Sequence, residues 1–339
     1  MKSLKAAIVD KPFGLNNLIV KDVEEKPLLD DEVKIKVAYA GVNPVDYFII
    51  NGARNISPLP HIPGSEFGGY VEEFGSKVKG LNKGDRVIVY PRVFDGTCDL
   101  CLSGKEYLCR NGGIIGGITN GGFAEYATVK LYNVFKIPDS LSWETAVSLP
   151  ISALIAFHAL IEAKITPGET VVIVGSSGNT GQFAVQLAKR MGAHVIAVTS
   201  KSWVKDLGAD EVTLLNQAYN TLIRFNNGKL ADVVVDSIGS KTIGRSIKLL
   251  DINGRFVIFG ALTGGMVNIL VNEIYSKEIK IIGVTGGARH ELTKLIEMAT
   301  RNEIKPVIWK KFSLDEIQKA VSSLFSRERN GRILVKING

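Results

Sequence analysis

Cysteine is scarce in this chain: 339 residues contain three, at Cys98, Cys101 and Cys109. An odd number bunched in a dozen positions is no disulfide framework of a small secreted domain, and the bunching points instead to a metal site. Long apolar runs are also missing. The longest stretch, Ala146 to Ala163, is broken by Ser148, Pro150, Ser152, His158 and Glu162. A membrane span needs about 20 apolar residues, so this stretch reads as a packed helix. Ala6 to Val9, the apolar run near the start, is too short for a signal-peptide core. The expectation is a cytoplasmic protein with no membrane partner. Clustered charge of one sign is absent as well. The formal net charge is +7, yet basic residues such as Lys2, Lys5, Lys11 and Lys21 are interspersed, and no basic run reaches four. Nucleic-acid binding would need a basic patch, so no nucleic-acid partner is expected.

What remains is an ordinary globular composition, 45% hydrophobic and 22% charged. The length exceeds one ordinary core and predicts two domains. Up to about residue 140 the pattern is short strands and turns: Val33, Ile35 and Val37 alternate with Lys34 and Lys36, and Val71–Phe74 and Arg86–Tyr90 repeat the style. One turn of helix is expected near Val45–Asn51. A helix start at Ser142–Glu144 then changes the pattern. Apolar runs at Val171–Val174, Val195–Val198, Val233–Val235, Phe256–Phe259 and Ile279–Ile282 alternate with helical segments. Strands buried on both faces and joined by helices predict a parallel α/β sheet. A last helix near Leu314–Phe325 and a strand at Arg332–Lys336 are assigned back to the β-rich domain.

Between the Val171–Val174 strand and the next helix stands Gly175-Ser176-Ser177-Gly178-Asn179-Thr180-Gly181. A tight turn at a helix N-terminus presents backbone N–H groups to a pyrophosphate, and glycine permits close approach. Gly175, Ser177, Gly178, Asn179, Thr180 and Gly181 are therefore candidate cofactor ligands. The second strand ends at Thr199-Ser200-Lys201, without the carboxylate that would accept from a ribose 2′-hydroxyl. A hydroxyl and an ammonium suit a 2′-phosphate, so Ser200 and Lys201 predict NADPH rather than NADH. Lys201 pointing into solvent is the alternative.

The order of parts resembles the medium-chain dehydrogenase/reductase superfamily over nearly the whole chain. Besides the glycine turn, the resemblance rests on Gly64–Gly69 (GSEFGG), Gly84–Val87 (GDRV), Gly122–Tyr126 (GFAEY), Asp232–Gly239 (DVVVDSIG) and Gly331–Val335 (GRILV). It implies a Rossmann doubly wound parallel sheet inserted into a GroES-like β-rich catalytic domain, with boundaries at 1–150 and 286–339 for the latter and 151–285 for the former. The cleft between the domains is then the expected active site. By the same analogy Ser237, Ile238, Gly260, Ala261, Leu262 and Thr263 lie near the ribose and nicotinamide, and Arg332 reaches the cofactor.

The zinc-containing alcohol dehydrogenases of this superfamily carry a catalytic zinc on two cysteines and a histidine. This sequence has Asn43, Ser65 and Ile151 or a neighbour at those places. An amide, a hydroxyl and an isoleucine give zinc no useful donors, so no catalytic zinc is expected. Gly41–Tyr47 (GVNPVDY) looks like the quinone oxidoreductase and enoyl reductase branch. The cysteines match the spacing of the structural-zinc lobe, with Asp95 replacing the first of four cysteines. One structural zinc held by Asp95, Cys98, Cys101 and Cys109 is the expectation, a vestigial lobe with free thiols the alternative.

The resemblance therefore implies hydride transfer from NADPH to a small-molecule quinone or α,β-unsaturated carbonyl. Asn43, Tyr47 and Ser65 are the candidate pocket residues, Tyr47 as proton donor or oxyanion partner. Equally open is that Asn43 and Asp46 hold their loop together while Tyr47 packs. Two other readings stand beside this one: alcohol or aldehyde dehydrogenase activity, and a non-catalytic NADPH-binding protein. The loop Ile49–Leu59 has no polar signature that names the acceptor. A homodimer or homotetramer is expected, with Met266–Val271 as the candidate edge strand.

Overall fold

The computed structural model describes residues 3–11, 14–52 and 59–338; positions 53–58 of the acceptor loop lie outside them. The chain divides into two units, Met1–Ile151 with Ala288–Gly339, and Ser152–Gly287.

The first unit opens with a hairpin-like pair, β1 (Ser3–Val9) and β2 (Leu18–Glu24). There follow β3 (Glu32–Gly41), β4 (Glu66–Phe74), β5 (Arg86–Val89), β6 (Arg92–Val93), β7 (Gly113–Ile114), β8 (Tyr126–Lys130) and β9 (Val134–Lys136). The second unit carries β10 (Thr170–Val174), β11 (His194–Val198), β12 (Glu211–Thr213), β13 (Ala231–Asp236), β14 (Leu250–Ile258) and β15 (Lys280–Gly283). Back in the first unit come β16 (Ile308–Ser313) and β17 (Arg332–Lys336).

The β-rich unit is a seven-stranded sheet: β16-β17-β3-β4-β5-β9 in that order, with β8 also paired to β3. Its inward residues, Val33, Ile35, Val37, Val71 and Val87 among them, form one apolar cluster with Ile333 and Val335 of β17. The alternation read from the sequence is thus the two faces of a strand. β17 returns to β3 as expected, in an antiparallel register that sets Leu334 opposite Gly41.

The second unit is an all-parallel sheet in the order β12-β11-β10-β13-β14-β15, a doubly wound Rossmann arrangement. Every residue of β10 is buried, which is why this strand shows no polar alternation. Phe183, Ala184, Val185, Leu187 and Ala188 of the helix Gly181–Arg190 are also buried. Within the described residues, the segment Trp143–Glu162 is long and apolar enough to cross a membrane, but most of it is buried inside the protein. It is core.

One expected element is absent. Residues 266–270 form no strand and Val271–Ser276 is a helix, so the sheet ends at β15 instead. The alternation there is real, since Val267 and Ile269 pack on the Rossmann core while Met266 and Leu270 are exposed. Among the described residues no neighbouring strand completes a ladder with it, and strand identity needs that partner as well as the period.

Candidate functional site

The sharp turn after β3 builds the first cluster. Asn43 precedes the helix Pro44–Ile50, with Pro44 at the first helical position, where a missing N–H costs nothing. The Asp46 carboxylate accepts from the Asn43 backbone N–H at 2.8 Å and from the Ser65 backbone N–H at 2.9 Å. This ties the helix to the start of β4, where Glu66 follows. Glu66 accepts from the Ile151 backbone N–H at 2.7 Å and from Asn43 Nδ2 at 2.8 Å, and it pairs with Arg332 of β17. Arg332 Nη1 also donates to Asn43 Oδ1 at 3.2 Å. Asp46, Ser65, Glu66 and Arg332 are fully buried, and Asn43 is 2% exposed. Gly41 makes the space: a Cβ there would lie 2.3 Å from Arg332 Nη2 and 2.6 Å from Glu66 Oε2.

Burial pushes the Asp46 carboxyl up to about 7, against the lowering effect of the two backbone N–H groups, while the nearby Glu66 charge adds to the rise. The amide, hydroxyl and paired carboxylate at this place do not fit a zinc ion, because the one anionic donor is already held by an arginine, an amide and a backbone N–H. Tyr47 is half-buried, its ring edge-on to Phe325 with centroids 4.5 Å apart. Asn43 and Ser65 therefore stand inside the protein, and Arg332, expected at the cofactor, stands with them. His61 is buried against Gly116, its Nε2 3.0 Å from that carbonyl oxygen.

The second cluster is the lobe between β6 and β7. One ligand atom each from Asp95, Cys98, Cys101 and Cys109 lie within 4.8 Å of one another, the separation of Cys98 Sγ from Cys109 Sγ being 3.9 Å. Tetrahedral zinc–thiolate bonds of about 2.3 Å require sulfur atoms about 3.8 Å apart, so the residues fit the ion. The Thr97 backbone N–H, with Asn111 and the Cys98 N–H, holds the Asp95 carboxyl well below the usual carboxylate range, which keeps it an anionic donor. Glu106, between the second and third cysteines, accepts from the Arg289 backbone N–H at 2.6 Å and so fastens the lobe to the helix Arg289–Thr300.

The third cluster lies at the carboxyl ends of the parallel strands, where such sheets bind nucleotides. The turn Gly175–Gly181 follows β10 directly. Gly178 N donates to Gly175 O at 2.9 Å, and a Cβ on Gly181 would meet that same oxygen at 2.3 Å, so helix and turn close up only with glycine. Ser176 Oγ is buried in the turn without a hydrogen-bond partner, an orphaned donor that fits a phosphate-bearing cofactor. Asn179 is nearly buried and Thr180 precedes the helix.

Thr199 Oγ1 donates to Ser177 Oγ at 2.9 Å, joining the end of β11 to the turn. Beside it a cavity of about 610 Å³ is lined by Thr199, Ser200, Ser202, Lys205, Glu211 and neighbours. Lys201 is not among its lining residues, whereas Lys205, unnoticed in the sequence, is. No sequence signal marked it; its place is set by the 3-10 segment Ser202–Leu207, which the structure shows. Ser237 and Ile238 follow β13, and Gly260, Ala261, Leu262 and Thr263 follow β14. Thr263 clasps the two loops, donating to Ile238 O from its backbone N at 2.9 Å and from Oγ1 at 3.0 Å.

Comparison with known proteins agrees with these parts. Residues 29–139 match the alcohol dehydrogenase GroES-like domain and residues 179–301 the zinc-binding dehydrogenase domain. An NAD-dependent alcohol dehydrogenase of Sulfolobus acidocaldarius is 33% identical, covering 98% of this chain and 100% of that protein. An acryloyl-coenzyme A reductase of Sulfurisphaera tokodaii is 31% identical over 98% of this chain and 100% of its own. The structure of a cobalt- and zinc-bound thermostable alcohol dehydrogenase from Pyrobaculum aerophilum superposes with a TM-score of 0.92 at 38% identity, covering 99% of this chain and 100% of that one. The chain thus belongs to the zinc-binding dehydrogenase family of the medium-chain dehydrogenase/reductases and is an oxidoreductase of that superfamily.

Proposed function

We propose that the protein transfers hydride from NADPH to a conjugated carbonyl, a quinone or an α,β-unsaturated carbonyl compound, without a catalytic zinc. The observation that carries this reading is that Asn43 and Ser65 stand at two of the superfamily's catalytic metal-ligand positions, with Asn43 bound into a closed, buried network with Glu66 and Arg332. Alcohol–aldehyde interconversion draws on a Lewis acid to stabilise an alkoxide. A conjugated acceptor spreads the incoming charge into an enolate or a quinol oxygen, so placement and hydrogen-bond donors suffice. The resemblance to acryloyl-coenzyme A reductases supports an enone-type acceptor.

NADPH supplies the hydride. The turn Gly175, Ser177, Gly178, Asn179, Thr180 and Gly181 binds its pyrophosphate, and Ser237, Ile238 and Gly260–Thr263 line the ribose and nicotinamide side. Ser200, with Lys201 and Lys205 supplying positive charge, receives the 2′-phosphate. Tyr47 donates a hydrogen bond or proton to the acceptor; Asn43 and Ser65 fix the buried network behind the pocket. Asp95, Cys98, Cys101 and Cys109 hold one structural zinc, which fastens the lobe. We further propose a cytoplasmic homodimer or homotetramer.

A second reading, NAD-linked alcohol oxidation, is favoured by the Sulfolobus relative's name. One screen separates the two: NADPH and NADH oxidation with phenanthrenequinone, simple quinones and enones, beside NAD(P) reduction with alcohols. NADPH-dependent reduction of a conjugated acceptor is the expected result. Alcohol-dependent NAD reduction with no enone or quinone turnover supports the second reading, and tight NADPH binding without any turnover indicates a non-catalytic binding protein.

A further inference from the structure

The last residue of β13 is a carboxylate that the reading above does not use. Asp236 is fully buried. Its Oδ1 accepts from the backbone N–H groups of Ile238 at 2.8 Å and Gly239 at 3.3 Å and from Thr242 Oγ1 at 2.9 Å, while Oδ2 accepts from Ser246 Oγ at 2.6 Å. A buried carboxylate is tolerated when donors surround it, and here all four belong to the ten residues that follow it. One side chain therefore fixes both the loop leaving β13 and the first turn of the next helix, Ile243–Ser246.

That loop is wedged between the two neighbouring turns. A Cβ on Gly175, the first residue of the phosphate turn, would lie 2.6 Å from Ile238 Cδ1 and 3.2 Å from Ser237 Oγ. A Cβ on Gly260 would lie 2.3 Å from Ser237 O. On the same side, Ser240 Oγ donates to Thr263 O at 2.5 Å and Lys241 N to Thr263 Oγ1 at 3.1 Å. With contacts this close, a shift of Ile238 must move both Gly175 and Thr263, because packed interiors transmit displacement instead of absorbing it.

We propose that Asp236 is the positioning residue of the nicotinamide-nucleotide site. It acts through the Ser237–Gly239 loop to hold the phosphate turn after β10 and the loop after β14 in mutual register. The proposal rests on the reading that these three loops bind the cofactor. Its consequence is that affinity for the nucleotide depends on a side chain buried beyond a ligand's reach.

The test uses the full chain. Dissociation constants for NADPH and NADH are measured by titration calorimetry, and amide exchange is followed in the free protein for Asp236→Asn, Thr242→Val and Thr242→Ser. Asp236→Asn keeps the shape but replaces two acceptor oxygens by one. It is expected to weaken binding of both nucleotides about tenfold, and Thr242→Val about threefold, with Thr242→Ser restoring the wild-type constant. Exchange rises at 174–181, 237–242 and 260–263 in the first two variants. A purely structural role lowers the melting temperature and leaves the constants of the folded protein unchanged, which would overturn the proposal. Should Asp236→Asn fail to fold, the near-isosteric Thr242→Val decides alone: wild-type affinity with wild-type exchange sinks it. If the wild-type chain binds neither nucleotide, the reading of the site has failed and the proposal with it. Wild-type binding with unaffected variants removes only the role of Asp236.

Discussion

Arg332 and Glu66, 266 positions apart, form an ion pair in which both side chains are fully buried. Asn43 bridges them, donating to the carboxylate and accepting from the guanidinium. Breaking a buried pair from one side leaves an uncompensated charge, which costs about 3–5 kcal/mol. Arg332→Met and Glu66→Gln are each expected to destabilise the protein by that amount in chemical denaturation. The double variant should recover much of the loss. Additive losses would show that the two residues do not act as a pair.

Gly41 faces that pair. Gly41→Ala would drive a methyl group into Arg332 and Glu66, and overpacking of this kind costs about 1–3 kcal/mol. A denaturation midpoint equal to wild type would mean that the ion pair can shift without cost.

The raised Asp46 carboxyl predicts a pH effect of definite sign. Folding favours its protonated form, so its contribution to stability is fully present below the ordinary carboxylate range near pH 4 and is lost as pH rises through about 7. Asp46→Asn removes this titration. Its melting temperature relative to wild type should climb between about pH 4 and 7 and level off above that. A constant difference over that range contradicts a carboxyl titrating near 7.

Metal analysis of protein purified without chelator is expected to find one zinc per chain. Cys101→Ser or Asp95→Ala should lower the occupancy, and removing the metal should raise amide exchange at 95–112. Protein without zinc and with full thiol titration of all three cysteines points to a vestigial lobe.

Cofactor choice is decided by comparing nucleotides. Lys205→Ala is expected to weaken NADPH binding about tenfold while leaving NADH nearly unchanged, and Lys201→Ala to have the smaller effect. Wild-type protein that binds NADH as tightly as NADPH overturns the preference.

Much of this molecule was legible before any coordinates. The unbroken β-branched runs from Val171 onward were strands buried on both faces, and the glycine turn lay between a strand and a helix as read. The lobe was legible too, because its four candidate donors fall within fifteen positions and a short loop has few ways to separate them. The misplaced edge at 266–271 shows the limit: its period is that of a strand, but among the described residues no strand pairs with it.

Local sequence thus determined the period of each element, the turns that demand glycine and the spacing of a metal lobe, since these depend on backbone geometry over a few residues. Only the tertiary structure decided that Arg332, expected at the cofactor, pairs with Glu66, that Lys205 rather than Lys201 lines the cavity after β11, and that Asp236 accepts from Ile238, Gly239, Thr242 and Ser246. The reason is physical. A charge or a hydroxyl carries no mark of its partner in the sequence, and burial together with the path of the chain selects which donor meets which acceptor.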